Sequence, residues 1–136
     1  SKLEEVGYFD EAMVCWEDWE LSMRLDHVGG FIAIDEPLHI AFDTRGSVKQ
    51  NTKAFVAMLE FAMRKHPHWV TGSRRVHAQR YWMMGNWERQ SGRLTAARKY
   101  YLRSILTDIT YLRPWLTLVR RGPEFIRAGR MLGKSA

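Results

Sequence analysis

The chain has 136 residues, 46% of them hydrophobic and six of them tryptophan, a composition that excludes a disordered chain and fits one folded unit burying about two thirds of its unfolded surface. The single cysteine, Cys15, excludes an internal disulfide framework, fits a reducing compartment and reads as a small buried hydrophobe. The net charge of +6 conceals an asymmetry: residues 1–66 carry 7 Lys and Arg against 12 Asp and Glu, residues 67–136 carry 14 against 3, and the basic half reads as a surface for something anionic.

No apolar run approaches the roughly 20 residues of a membrane-crossing helix, and no basic-then-apolar leader is seen. The expectation is a cytoplasmic chain, soluble or peripheral at the inner face of the membrane. Along the chain, Ser1, Lys2, Leu3, Glu4, Glu5 and Val6 lead to a turn at Gly7, a residue open to backbone conformations closed to others. Tyr8, Phe9, Asp10 and Glu11 complete that turn. From Glu17 the pattern becomes helical, with Leu21, Leu25 and Val28 at i, i+4 and i+7. Glu20 and Arg24 form a favourable i, i+4 pair, and Glu17 is a second partner within Arg24's reach. Gly29 and Gly30 end the helix. Acidic residues at a helix start suit the helix dipole, which gives Glu17 and Asp18 a purely structural reading. The run Phe31, Ile32, Ala33 and Ile34 predicts a short strand, continued over 38–42 after Glu36 and Pro37. A polar loop follows at 43–47, where Arg45 suits a diphosphate by its guanidinium geometry and equally suits solvent.

This ordered series resembles the acceptor-side half of inverting, nucleotide-sugar-dependent glycosyltransferases of family 2, which have the GT-A fold. The resemblance rests on the turn Gly7, Phe9, Asp10 and Glu11, the pair Glu17 and Asp18, Leu21 and Arg24 on one helix, and Glu36, Pro37 and Leu38 after the strand. Two departures stand out. The family usually has a second glycine where Tyr8 stands, and its loop histidine is missing from 43–47, where only Gly46 and Ser47 match. The fold implied is mainly α with a small β element. Residues 1–50 would be the acceptor-side portion of an incomplete glycosyltransferase domain, and 51–136 a helical extension.

The resemblance further implies that Asp18 is the general base, that Glu17, Asp10 and Arg24 bind the acceptor or support the base, and that Arg45 and Ser47 meet the donor phosphates. It implies a nucleotide-sugar donor, a carbohydrate or lipid-linked acceptor of cell-envelope polysaccharide, and a divalent Mg or Mn held by aspartates upstream of this chain. A fragment without the nucleotide-binding half is expected to fold but not to catalyse or bind the metal. Its strand region at 31–42 is expected to be irregular or to pair with a second copy in a homodimer. The rival reading is a non-catalytic helical protein-interaction module whose acidic motif is structural.

Asn51 predicts the cap of a helix reaching about Lys65, with Phe55, Leu59, Ala62 and Met63 on one face. His66, Pro67 and His68 read as a helix stop rather than a zinc site, because no cysteine or carboxylate pair lies at ligand spacing. Residues 73–108 read as a helical hairpin, with Tyr81, Met84, Gly85, Gly92, Ala97 and Tyr101 at the offsets of one tetratricopeptide-like unit. Solenoids need about three such repeats, so an extension packed on its neighbours is expected. Trp82, Met83, Met84 and Trp87 read as core and interface. The last segment interleaves Arg113, Arg120, Arg121, Arg127, Arg130 and Lys134 with Trp115, Leu116, Leu118, Val119 and Phe125, and Pro114 and Pro123 predict helix starts. Such a segment fits an anionic membrane surface or an ordinary solvated face. Nucleic acid is not expected, since no recognised motif accompanies the charge.

Overall fold

Small polar side chains set where three of the helices begin. In the computed structural model, which describes residues 1–32, 34–37 and 51–132 and gives the backbone alone at 69, 71 and 126–132, Ser1 and Glu4 form a capping box that starts α1 (Lys2–Val6). Asn51 accepts from the Ala54 N–H at 3.1 Å to start α3 (Thr52–Lys65), and Ser73 accepts from the Val76 N–H at 3.3 Å to start α5 (Arg74–Gln90). Each satisfies a donor that a helix start leaves open. The chain divides into two compact units, Ser1–Ala62 and Met63–Ala136.

In the first unit α1 packs on α2 (Glu17–Val28). Met13, Cys15 and Leu21 are buried there, as are Val56, Leu59 and Ala62 on α3. Cys15 is a neutral buried thiol, its pKa raised by desolvation and then by the charge of Glu17. The strand expected at 31–34 does not form among the described residues. Phe31, Ile32 and Ile34 are instead exposed, at 62%, 93% and 64%. A strand needs a ladder partner for its N–H and C=O groups, and the described residues supply no second strand. The expected continuation at 38–42 and the loop at 43–47 lie outside the described residues.

The second unit is a run of helices. Pro67 occupies the first turn of α4 (Pro67–Thr71), so it opens a new helix directly after α3 stops. α5 and α6 (Leu94–Thr107) form the expected hairpin across the turn at 91–93. Ala78, Met84, Ala97 and Tyr101 are fully buried. Gly85 lets the helices close: a Cβ there would lie 2.6 Å from the Tyr101 ring. The Tyr101 hydroxyl donates to Asn86 Oδ1 at 2.9 Å, and the Ser104 hydroxyl to the Ala78 carbonyl at 2.6 Å. The hairpin turn is tied by Arg93, whose guanidinium donates to the nearly buried Glu88 carboxylate.

The final helix, α7 (Leu112–Leu132), packs on α6. Pro114 lies in its first turn, as expected, but Pro123 lies inside it and starts nothing. A proline withdraws the partner of the carbonyl four residues back, here that of Val119. Both Val119 and Pro123 are exposed, which leaves that carbonyl to water. Beyond the proline, Phe125 meets the Tyr101 ring edge-on at 6.0 Å and Glu124 reaches Arg89 at 4.0 Å. These contacts hold the chain helical across it.

Candidate functional site

The acidic start of α2 and the turn after α1 are joined through one side chain, Arg24. It sits one helical turn beyond Glu20, and its Nε lies 3.0 and 2.9 Å from the two Glu20 carboxylate oxygens. Nη2 donates to Glu20 Oε2 at 2.7 Å and to the Tyr8 carbonyl at 2.6 Å, while Nη1 donates to the Val6 carbonyl. The Glu20 side chain is 0% exposed and that of Arg24 14%. A carboxylate and a guanidinium withdrawn from water cost several kcal/mol each unless their hydrogen bonds are met. Here the two-pronged pairing and the two carbonyls meet them. Of the two partners within Arg24's reach in the sequence, Glu20 takes the pair.

The two carbonyls point at Arg24 because the backbone reverses there. Gly7 has φ 81° and closes α1, its N–H bonded to the Glu4 carbonyl at 3.1 Å. Tyr8 follows with φ 60°, also left-handed, a conformation that costs a residue bearing a Cβ roughly 1–2 kcal/mol. Tyr8 therefore takes up a glycine-like backbone without being glycine. Asp10 lies two residues on, where its Oδ1 accepts from the Ala12 N–H at 3.0 Å and its carbonyl accepts from Met13 at 3.0 Å. That is a turn-building role.

The start of α2 is unusual. Its N-cap, Trp16, has φ 67° and no side-chain cap bond, and it packs edge-on against Trp19 at 5.3 Å and Phe55 at 5.9 Å. Aromatic packing stands where a serine or aspartate cap normally would. Glu17 and Asp18 occupy the first turn that follows. Asp18 is exposed, its Oδ1 accepting from the Trp19 N–H at 2.7 Å. Glu17 is half-buried. The carboxylate of Asp18 is thus open to an incoming molecule and held at one oxygen, Oδ1.

Arg24 turns its donors inward, to Glu20, Val6 and Tyr8. Arg45 and Ser47 lie outside the described residues. Glu20 is the member that motif reasoning undervalued. Its i, i+4 spacing to Arg24 was visible, but the burial that makes the pair a clamp depends on α1 lying against α2. Among the described residues no group of three or more His, Cys, Asp or Glu is arranged to hold a metal ion, so no step is assigned to one. No helix of the described residues is long and apolar enough to cross a membrane. No protein-family model, curated protein or solved structure matches the chain.

Proposed function

We propose that the chain is the acceptor-side part of an inverting, nucleotide-sugar-dependent glycosyltransferase of GT-A type, with Asp18 as its general base. The observation that carries this reading is the left-handed Tyr8, φ 60°. It stands where the family pattern has its second glycine, and its left-handed backbone is one that glycine takes up without strain. The Arg24 clamp supports the same reading, since it ties that turn to the helix bearing Glu17 and Asp18. In the proposed step the acceptor hydroxyl gives its proton to the exposed Asp18 carboxylate as its oxygen attacks the anomeric carbon. The bond to the nucleoside diphosphate breaks on the opposite face, and its electron pair leaves with the diphosphate. Glu17 and Asp10 border the acceptor side in this reading, and Arg45 and Ser47 the donor side.

The test is Asp18→Asn in the protein as encoded, assayed for nucleotide release from a panel of nucleotide-sugars. Turnover is expected to fall on the order of a hundredfold or more while donor binding is kept. Near-normal turnover would remove Asp18 from the mechanism. The rival reading, a non-catalytic helical interaction module, draws on the α5–α6 hairpin, and it predicts no nucleotide release by wild type with any donor in the panel.

A further inference from the structure

The basic half of the chain presents two features on α7 that packing leaves unused. Leu112, Trp115, Leu116 and Val119 recur at i, i+3, i+4 and i+7, the spacing of one helix face, and all are exposed, Val119 at 77%. Beside this stripe runs a groove of about 390 Å³ between α5 and α7, bordered by Arg89, Arg113, Arg120 and Arg121 together with Trp82 and Leu116. The groove is pre-organised. Trp82 Nε1 donates to Thr117 Oγ1 at 3.2 Å, joining the two helices, and the Arg113 guanidinium lies over the Trp82 ring at 5.1 Å. Against the four guanidiniums there is one carboxylate, Glu124, which takes Arg121 at 3.0 Å and Arg89 at 4.0 Å. The Nε of Arg89 is buried with no hydrogen-bond partner.

We propose that this face of α7 docks on an anionic lipid bilayer, the apolar stripe entering the headgroup region and the arginine groove receiving a lipid phosphate. Charge complementarity selects that occupant. A second copy seated α7 against α7 would set guanidiniums against guanidiniums, since the chain from residue 67 onward has 14 basic residues against 3 acidic ones, and a partner protein would have to bring carboxylates to the groove and an apolar face to the stripe together. A soluble anion would satisfy the arginines and leave the apolar stripe in water. A bilayer meets both demands at once, with phosphates at the depth of the guanidiniums and acyl chains below. Guanidinium forks match phosphate oxygens two at a time, and an indole such as Trp115 favours the interface between headgroup and hydrocarbon. The inference stands on α5 and α7 and is independent of glycosyl transfer.

The test is flotation of the full chain with vesicles of phosphatidylcholine, with and without phosphatidylglycerol. Binding is expected only with phosphatidylglycerol, and weakening with added salt, since screening acts over about 10 Å at 0.1 M. Arg113→Gln with Arg120→Gln should weaken the partition by about fivefold for each charge removed. Leu112→Ser with Val119→Ser should abolish it while the helical circular dichroism is unchanged. Quenching of tryptophan fluorescence by brominated lipid should diminish in Trp115→Phe. Equal flotation with neutral vesicles overturns the proposal, as does full binding by the Leu112→Ser, Val119→Ser variant. Glycerol phosphate or a single-stranded oligonucleotide bound in solution as tightly as the vesicles would also overturn it. So would a dimer in sedimentation equilibrium that the same serine substitutions dissociate.

Discussion

Arg24 has five N–H donors in a rigid fork, and the fork is what lets one side chain grip a carboxylate and two carbonyls together. Arg24→Ala leaves the Glu20 carboxylate buried without a counter-charge, and the expected loss is about 3–5 kcal/mol, measured by urea unfolding. Arg24→Lys should recover only part of it, because an ammonium on a flexible stem cannot span both partners. Tyr8 offers the opposite sign. Its left-handed backbone costs roughly 1–2 kcal/mol, against which glycine costs about 0.5–1 kcal/mol in chain entropy. With the Tyr8 side chain half exposed, Tyr8→Gly is expected to leave stability unchanged or raise it by up to about 1.5 kcal/mol. A clear loss in the same urea titration would mean that the tyrosine ring has a packing role.

At the scale of elements, the boundaries marked by local chemistry were legible. Asn51 acts through a bond to a residue three places on, and the structure uses it where the sequence indicates; the hairpin range likewise begins where expected, at Ser73, whose side chain caps α5. The packing face of α3 was readable in the main: Leu59, Ala62 and Met63 are buried, Phe55 is half-buried, and Val56, outside the expected face, is buried too. What failed depends on distant partners. The apolar residues Phe31, Ile32 and Ile34 look like a strand, but strand identity belongs to a sheet and not to a segment. Pro123 looks like a helix start, and only the contacts of Glu124 and Phe125 with α5 and α6 show why the helix runs through it. Trp16 had no signal at all, because a tryptophan at a left-handed N-cap contradicts the usual capping preferences. The persistence of α7 across Pro123 makes a prediction. Pro123→Ala restores a donor for the Val119 carbonyl and should stabilise the second unit by about 1–3 kcal/mol, with a higher thermal midpoint by circular dichroism. A lower midpoint would show that the proline's fixed φ is itself stabilising there.

For the whole molecule, the two units carry separate propositions. The first unit, Ser1–Ala62, contains the clamp and the exposed Asp18, and the second, Met63–Ala136, contains the arginine groove and the apolar stripe. Their charges differ in sign, residues 1–66 being net acidic and 67–136 net basic, and each proposal draws on its own half: a carboxylate as proton acceptor in the first, guanidiniums for phosphate in the second. Of the candidate site, the sequence disclosed the acidic pair and the turn, while the burial of Glu20 and the backbone of Tyr8 required the third dimension. The close approach of Gly85 to the Tyr101 ring binds those two positions to a shared history. Alanine at 85 drives a methyl into the ring, and a small residue at 101 with glycine retained at 85 opens a void and strands the Asn86 amide. Either change alone is a valley in the fitness landscape and the pair together is a pass through it, so substitutions at 85 and 101 should co-vary wherever this hairpin has diverged.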